Sequence, residues 1–307
     1  MSAPDLSETL IGELAKGAVR TIVAPAALSP MLLICEHAGK VVPAPWRDLG
    51  LPPEFLETHF AWDAGAGALT EALAARLQAT AVLAAYSRLF LDLNRFPGDW
   101  DCCRPDMAGI PIPANLGLGD RERAQRERIA RAPFDQAVAL WLCTRPAVVS
   151  IHSFTPVLAG KRREPEIGVL WREECRMGPP VLKVLREQGR FVIGNNEPYD
   201  WRTSEGYTLR RHGLECGLPC LYLEIRNDLL VTPKSIARVA DALVPALAAA
   251  IRDLPDGGGA EQDYGHDPRQ AAVRTGKTGA NLPNSKGSSS RRDPLDRRRE
   301  DSRNPKV

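Results

Sequence analysis

Polar side chains come directly after several apolar runs of this chain. Residues 31–35 (MLLIC) form an apolar run of strand length, and Glu36 and His37 follow it immediately. A short apolar run that stops at a turn signal is typical of a strand covered on both faces. Side chains just past the carboxyl end of a strand line the ligand crevice of an open α/β sheet. Glu36 and His37 are therefore candidates for chemistry, and a surface turn that carries a histidine is the simpler alternative.

The same arrangement recurs at three more apolar runs. The polar groups that end them are Asp92, Asn94 and Arg95; His152 and Ser153; and Glu224 and Arg226. Because parallel strands end at one edge of a sheet, these side chains are expected to converge. Two imidazoles, carboxylates and arginines in one crevice suit metal-assisted hydrolysis of an amide. Zinc at a catalytic site takes three ligands from His, Asp or Glu and leaves a fourth position for water. A further carboxylate can accept the proton of that water. An arginine can bind a carboxylate of the substrate or the oxyanion.

The elements that must position these groups alternate between strands and helices. The pattern predicts strands at 31–35, 80–85, 89–93, 147–151, 166–171, 191–193 and 219–223, and helices at 64–77, 120–141, 179–188 and 233–252. This alternation predicts an α/β fold, a three-layer sandwich around a largely parallel or mixed sheet. The loop at 97–118, rich in proline and glycine, is long enough to be functional or mobile. Residues 1–254 are expected to form one domain.

Composition limits the classes of function. The 307 residues are 44% hydrophobic and 25% charged, and the net charge of +2 points to no charged partner. We find no apolar run that could span a bilayer and no secretory signal at the N-terminus. The seven cysteines form no CxxC pair, which favours free and mostly buried thiols in a reducing cytoplasm. We expect a cytoplasmic protein that acts on a small molecule, without a membrane or nucleic-acid partner.

The last part of the chain differs in composition from the rest. From residue 255 onward, glycine, serine, asparagine and charged residues dominate, with 11 Lys/Arg against 8 Asp/Glu. A segment with so few large apolar residues cannot offset its ordering entropy, so residues 255–307 are predicted to be a disordered, charged tail. Its arginine-rich part, 290–303, could bind nucleic acid, but interspersed acids and the lack of aromatic residues favour a solvated tail. The oligomeric state is not indicated.

Five segments, in order, resemble one known family. They are Cys35-Glu-His-Ala-Gly39, Trp62-Asp-Ala-Gly-Ala66, Ser87-Arg-Leu-Phe-Leu-Asp-Leu-Asn-Arg95, Ile151-His-Ser-Phe-Thr155 and Glu224-Ile-Arg-Asn-Asp228. Together they resemble the N-formylglutamate amidohydrolases over most of the region before the tail. That family resembles the zinc carboxypeptidases and aspartoacylases in fold, which implies a zinc-exopeptidase-like architecture. The implied activity is hydrolysis of an N-formyl acidic amino acid, such as N-formyl-L-glutamate, to formate and the free amino acid.

The resemblance also implies a site for zinc or another divalent metal. His37 and His152 are the expected histidine ligands, because the segment around His152 resembles the one that carries the last histidine ligand of the carboxypeptidases. Those peptidases place a glutamate ligand three residues after the first histidine, where this chain has Lys40. The carboxylate ligand must then come from Asp63 or Glu36, and we favour Asp63. The alternative for Asp63 is the N-cap of the helix predicted at 64–77.

Glu224 is the expected general base, since its segment resembles the one with the glutamate base of the carboxypeptidases. Arg95 and Arg226 are predicted to bind a substrate carboxylate or the oxyanion. The simpler alternatives are ion pairs, Glu224 with Arg226 and Arg95 with Asp92. The other predicted substrate-binding residues are Arg88, Asn94, Ser153 and His212.

Two other functions remain open. One is a different N-acyl amino acid deacylase or a carboxypeptidase-like hydrolase, in which the loop at 97–118 would set the size of the acyl group. The other is a catalytically silent, metal-free binding protein of the same fold, which the metal content of the purified protein would reveal. A thiol nucleophile at Cys35 is disfavoured, because the pattern predicts no helix N-terminus that would lower the pKa of its sulfur.

Overall fold

A mixed sheet of seven strands forms the centre of the computed structural model, which describes residues 6–24, 29–142, 144 and 147–252. The strands are β1 (Val19–Ile22), β2 (Met31–Cys35), β3 (Thr80–Ala84), β4 (Ala147–Phe154), β5 (Ile167–Leu170), β6 (Ile193–Asn195) and β7 (Cys220–Arg226). Their order across the sheet is β1-β3-β2-β4-β7-β5-β6. The central strands β3, β2, β4 and β7 are parallel, whereas β1, β5 and β6 run the opposite way. The carboxyl ends of β2, β4 and β7 therefore meet at one edge.

Helices cover both faces of this sheet. They are α1 (Glu8–Lys16), α2 (Ala66–Leu77), α3 (Asp120–Arg126), α4 (Ala132–Leu142), α5 (Gly178–Gln188), α6 (Tyr207–His212) and α7 (Pro233–Arg252). Alternate residues of β2 divide between the two layers: Leu33 packs with α2, α5 and α7, and Ile34 packs on the side of α1, α4 and α6. The predicted α/β fold in three layers around a mixed sheet is confirmed.

Most predicted elements are confirmed within a few residues, and the differences have physical reasons. A π-helical turn, Glu127–Arg131, joins α3 and α4 into the continuous helix predicted at 120–141. β1 and α6 were not predicted. β4 and β7 run on past their predicted ends, because His152 and Glu224 still pair with each other in the ladder between these strands. Both residues therefore lie within strands rather than after them.

The predicted strand at 89–93 is wrong. This segment is part of what we call the 87–95 turn, residues 87–95, which contains no strand of the main sheet. The hydroxyl of Ser87 accepts the N–H of Leu89 at 3.2 Å, and its carbonyl accepts the N–H of Phe90 at 2.9 Å. The apolar residues of the turn are buried as a strand's would be. A short apolar run cannot by itself separate these two structures.

Two buried arginines hold the carbonyl groups of this turn. The Nη1 atom of Arg126 donates to the carbonyl of Phe90 at 3.0 Å. Arg131 donates to the carbonyls of Asp92 and Leu93 at 3.0 and 2.8 Å. A buried cation is costly unless it is hydrogen-bonded, so these contacts favour one conformation of the turn. The charged first half of the predicted helix therefore anchors the segment that carries Asp92.

The long connection at 97–118 is irregular, as predicted, and it is packed. It contains the 3₁₀ turns Trp100–Cys103 and Pro113–Asn115 and a two-residue hairpin between them. The buried amide of Asn115 donates to the carbonyls of Leu89 and Arg104 at 2.9 and 2.8 Å. A role for this connection in setting acyl size stays a prediction.

Four expectations concern the chain as a whole. Five buried cysteines of the described residues are free, which confirms the prediction of free, buried thiols for these positions. Among these residues, no helix combines the length and the apolar character that crossing a membrane requires. The predicted tail, 255–307, lies outside the described residues, and the cytoplasmic location stays a prediction.

Candidate metal centre and active site

Three buried side chains meet at the edge where β2 and β4 end. His37 follows β2, His152 lies in β4, and Asp63 lies in the turn before α2; their exposed fractions are 2%, 3% and 2%. One ligand atom from each lies within 4.8 Å of the other two. The backbone N–H of Asp63 donates to the carbonyl of His37 at 2.9 Å, which ties the two loops together. The sequence prediction that these residues converge is confirmed.

Both imidazoles direct Nδ1 at the same carboxylate oxygen. The distance to Asp63 Oδ2 is 3.0 Å from His152 Nδ1 and 3.4 Å from His37 Nδ1. The ring centroids of the two histidines are 4.9 Å apart, with an interplanar angle of 74°. Two imidazole nitrogens and one carboxylate oxygen in a buried position are a donor set that zinc and related divalent ions bind.

The other nitrogen of each ring faces a further carboxylate. His37 Nε2 lies 2.8 Å from Asp92 Oδ1, and His152 Nε2 lies 3.3 Å from Glu36 Oε2. A carboxylate behind a metal-ligating histidine is the usual arrangement in metalloproteins, because it sets the tautomer and the ring orientation. This arrangement favours Asp63 over Glu36 as the carboxylate ligand, an alternative that the sequence left open.

An orphaned nitrogen supports a metal at this position. His37 Nδ1 is buried without a hydrogen-bond partner, although it lies 3.4 Å from Asp63 Oδ2. His152 Nε2 and Glu36 Oε1 also lack a well-formed hydrogen bond, but Nε2 lies on the Glu36 side of the ring and does not bear on this position. Buried polar atoms of native proteins are nearly always paired, so an orphan calls for an explanation such as an ion. The residues at this centre fit a divalent metal.

Charges within the centre shift the pKa values of its groups. Burial alone would raise the pKa of Asp63, but His37 and His152 outweigh it and hold that pKa well below its usual range. Burial alone would lower the pKa of His152, but Glu36 and Asp63 raise it well above its usual value. His152 in turn offsets the effect of burial on Glu36, whose pKa is lowered. The centre therefore holds ionised carboxylates that attract positive charge, either a proton or a metal ion.

Arg88 connects the two aspartates that contact His37. It donates from Nη1 to Asp63 Oδ1 at 3.3 Å, and from Nε and Nη2 to Asp92 Oδ2 at 3.2 and 3.0 Å. Because all three contacts go to carboxylates of the centre, they orient Asp63 and Asp92. The predicted role of Arg88 in substrate binding stays a prediction.

The alternative role of Asp63 as a helix cap is wrong. Helix α2 begins at Ala66, and Gly65, with φ of 80°, is its N-cap residue. The side chain of Asp63 instead accepts the backbone N–H of Ser153 at 3.2 Å. The hydroxyl of Ser153 donates to the carbonyl of Ala64 at 3.0 Å. Ser153 thus supports the loop that carries Asp63, and its predicted contact with substrate is untested.

Glu224 lies on β7 directly beside His152 in the strand register. Its side chain is buried, and Oε2 has no hydrogen-bond partner. Burial raises the pKa of Glu224 to about 7, because the neighbouring His152 offsets that effect only in part. No ion pair joins Glu224 to Arg226 within the described residues, so that alternative is wrong. An unpaired carboxyl beside the histidine centre is well placed to move a proton.

Arg226 is paired away from the histidines. Its Nε donates to Asp228 Oδ1 at 2.8 Å and its Nη2 to Glu166 Oε1 at 3.4 Å. Its Nη1 donates to the carbonyl of Arg163 at 3.3 Å. These contacts fix the segment around Arg163, and the predicted catalytic role of Arg226 is untested.

The remaining predicted residues also have partners outside the histidine centre. Arg95 forms an ion pair with Asp101 at 3.0 Å, so the alternative pair with Asp92 is wrong. His212 pairs with Asp135 at 3.1 Å. The substrate-binding roles of Arg95 and His212 stay predictions.

Asn94 supports a tyrosine that the sequence analysis missed. Its Oδ1 accepts the hydroxyl of Tyr222 at 3.1 Å. The ring of Tyr222 lies 5.5 Å from that of His152, and Tyr222 shares a face of β7 with Glu224. The alternation of the strand that carries Glu224 could have indicated this residue.

Arg163 and Tyr199 were also missed as a pair. The Arg163 guanidinium lies 4.7 Å from the ring centroids of both Phe154 and Tyr199. Arg163 follows two other basic residues in a polar stretch, and such a charge run usually indicates a solvated surface. The sequence carries no signal that separates it from these neighbours.

Comparisons with known proteins indicate the family and the fold of the chain. A family model described as N-formylglutamate amidohydrolase matches residues 29–231. The crystal structure of a gene product from Agrobacterium tumefaciens is 34% identical with a TM-score of 0.73; the match covers 78% of this chain and 97% of that one. An N-formylglutamate amidohydrolase from Ralstonia eutropha is 20% identical with a TM-score of 0.55, over 77% and 98% of the two chains. The latter likeness concerns the fold alone.

A weaker likeness, with a TM-score of 0.38 and 11% identity, joins the chain to carboxypeptidase A from Helicoverpa armigera, over 79% of this chain and 70% of that one. At this level the likeness says nothing more about the chain. No curated protein sequence matches it significantly.

Proposed function

Because the chain belongs to the N-formylglutamate amidohydrolase family, we propose that it is a metal-dependent enzyme that hydrolyses the N-formyl bond of an acidic amino acid such as N-formyl-L-glutamate. The products would be formate and the free amino acid. The observation that carries the proposal is the double pairing of His37 and His152, each with one ring nitrogen toward Asp63 and the other toward a second carboxylate.

His37, Asp63 and His152 would hold zinc or another divalent ion. When bound, such an ion lowers the pKa of a water and polarises the carbonyl of the substrate. Asp92 and Glu36 keep the two imidazoles in the orientation that turns Nδ1 toward Asp63. Asp92 is itself fixed by Arg88, so the orientation of His37 depends on a chain of contacts that ends at a partly buried cation.

Glu224 is the proposed general base and acid. Its carboxylate would accept a proton from the water whose oxygen adds to the formyl carbon. As the C–N bond breaks, the same carboxyl would return the proton to the departing amine nitrogen. A carboxyl with a pKa near neutrality is suited to both transfers. Its partner-free Oε2 leaves it available for them.

The experiment is to measure formate release from N-formyl-L-glutamate by protein that has been stripped of metal and then reloaded with Zn²⁺. We expect turnover that follows the bound metal with a stoichiometry of about one per chain. Faster release from N-acetyl or longer N-acyl substrates would instead identify a different deacylase. Full metal occupancy without hydrolysis of any N-acyl amino acid would show a binding protein.

We also propose that the enzyme works in a reducing cytoplasm. The free and mostly buried cysteines of the described residues support this location, since disulfides are rare there. Fractionation of the source cells would test it, and recovery outside the cytoplasmic fraction would contradict it.

A further inference from the structure

We infer that Arg163 binds a carboxylate group of the substrate, a role that the sequence assigned to Arg95 or Arg226. The inference rests on the proposed function, because it names the group that recognises an N-acyl amino acid at the same site. It identifies one residue that determines affinity and selectivity without touching the bond that is cleaved.

The arginines near the centre differ in their pairing. Arg88, Arg95 and Arg226 each form ion pairs with carboxylates of the protein. No Asp or Glu of the described residues lies within ion-pair distance of Arg163. A half-buried guanidinium that lacks such a partner is available to an anionic ligand.

Aromatic rings and backbone hydrogen bonds hold Arg163 in place. Its guanidinium lies over the rings of Phe154 and Tyr199, at 4.7 Å from each centroid. Its backbone N–H donates to the carbonyl of Pro156 at 2.9 Å, and its carbonyl accepts from Arg226 at 3.3 Å. A guanidinium that packs against aromatic faces, with one contact to the Tyr199 hydroxyl, can still present in-plane N–H groups to a ligand. Such groups bind a carboxylate in two parallel hydrogen bonds.

Arg163 lies beside the centre. Phe154, on which its guanidinium packs, is the last residue of β4 and comes two residues after His152. Burial raises the pKa of Tyr199, and the negative charge of Glu224 raises it further, which places the ring near the proposed base. The positive charge of Arg163 lowers the pKa of Glu224, against the effect of burial, which places the guanidinium near this carboxyl as well. A substrate held by Arg163 would therefore lie next to Glu224.

Two glycines allow this arrangement. A Cβ atom on Gly168 of β5 would lie 2.1 Å from the carbonyl oxygen of Glu197, and one on Gly194 of β6 would lie 2.7 Å from it. The backbone at Glu197 can therefore lie directly against the sheet, and Tyr199 follows two residues later. Any larger residue at Gly168 would displace the segment that carries Tyr199.

The test is a cycle that combines Arg163→Met with removal of charge from the substrate. The three substrates are N-formyl-L-glutamate, its α-carboxamide and its γ-carboxamide. For the wild type, KM should rise roughly 10- to 100-fold for the carboxamide that lacks the bound carboxylate, with a smaller change in kcat. Arg163→Met should show a similar rise on N-formyl-L-glutamate and little further loss on that carboxamide. Equal losses for all three substrates would overturn the inference.

Two further variants keep the test decisive. Arg163→Lys keeps the charge but not the paired N–H groups, so we expect an intermediate KM even if the methionine variant fails to fold. The matched control is Arg162→Met, because Arg162 is an exposed neighbour in the same stretch. Its KM should stay within about twofold of the wild type, as for surface substitutions in general. A rise in the control equal to that of Arg163→Met would also overturn the inference.

A binding measurement separates this inference from the proposed function. Calorimetric titration of the Zn²⁺-loaded protein with L-glutamate should give binding to the wild type that Arg163→Met weakens about tenfold or more. This result without hydrolysis of N-formyl-L-glutamate would reject the proposed activity and retain the carboxylate site. Equal binding to both proteins, or no binding to the wild type, would reject the carboxylate site.

Discussion

The two sides of the candidate site differ in how their charged groups are paired. On the metal-facing side, Asp63 and Asp92 each contact both a histidine and Arg88. On the substrate-facing side, Glu224 has an unpaired carboxyl oxygen, and Arg163 has no carboxylate partner within the described residues. A paired group holds its neighbours in place, whereas an unpaired buried group has a free-energy cost of about 1–3 kcal/mol. The difference suggests that the unpaired groups find their partners in the reaction.

This comparison predicts that variants of the two sides fail in different ways. Changes on the metal-facing side should lower metal affinity and with it all activity. Changes on the substrate-facing side should leave the metal in place and alter rate or KM. The four predictions below run from the largest expected effect to the smallest.

The largest effect is expected for His37→Ala and His152→Ala. Removal of one imidazole from a three-residue metal site should cost most of the affinity, so bound metal and formate release should both fall below detection. Metal analysis by mass spectrometry and a formate assay check this. The matched control is His212→Ala, which removes a buried histidine that pairs with Asp135 and should keep its metal. Full occupancy in the first two variants would reject the ligand assignment.

Glu224→Gln should keep the metal and lose turnover. The amide has the shape of the carboxyl but cannot accept the proton, so kcat should fall by about 10²–10⁴ with metal content unchanged. Steady-state kinetics and metal analysis of the same preparation are needed. Unchanged kcat would make Glu224 structural, whereas loss of metal would place it among the ligands and move the search for a base to Glu36 or Glu197.

Asp92→Asn and Glu36→Gln should weaken the metal site without abolishing it. Each replaces the carboxylate behind one histidine, and such changes typically lower metal affinity or activity 10- to 100-fold. Competition with a chromophoric chelator would measure the affinity. If Glu36→Gln lost metal as completely as His152→Ala, Glu36 would be a ligand.

The smallest effect concerns the stability of the metal-free protein. The pKa of Glu224 in the folded protein, about 7, lies above its ordinary value of 4.5. The stability that this carboxyl contributes is therefore fully present below pH 4.5 and is lost as the pH rises through about 7. Glu224→Gln does not titrate, so its advantage over the wild type should grow from pH 5 to pH 8, by on the order of 2 kcal/mol.

Chemical denaturation of both metal-free proteins across this pH range would measure that advantage. Asp241→Asn, at an exposed acidic position on α7, serves as the control and should show no such growth. A difference between Glu224→Gln and the wild type that stays constant with pH would contradict the raised pKa of Glu224.

The residues at the carboxyl ends of the central strands were the easier ones to predict from the sequence. His37, His152 and Glu224 each follow or end an apolar run, and the parallel order of β2, β4 and β7 brings such positions together. Asp63 was selected as a ligand on the resemblance, and its supposed alternative as a helix cap was wrong because Gly65 caps α2. The choice between Asp63 and Glu36 required the directions of the ring nitrogens, which no sequence pattern contains.

The rest of the site comes from segments without a regular pattern. Asp92 lies in the 87–95 turn, whose conformation depends on Arg126 and Arg131 from a distant helix. Its apolar residues are as buried as those of a strand, so the apolar run alone led to the wrong prediction of a strand there. Arg163 is one of several basic residues in a polar stretch, and only the rings that pack against it distinguish it. Contacts between segments far apart in the chain determine both the conformation of the 87–95 turn and the position of Arg163.

The most direct test of the metal-facing side is an anomalous diffraction map of crystals grown with Zn²⁺. The account predicts one peak bonded to His37 Nδ1, His152 Nδ1 and a carboxylate oxygen of Asp63, at about 2.0–2.2 Å from each. Glu36 and Asp92 should remain on the far nitrogens of the rings. A peak bonded to Glu36 or to the Nε2 atoms would contradict the assignment, and so would the absence of any peak at these residues in zinc-saturated crystals.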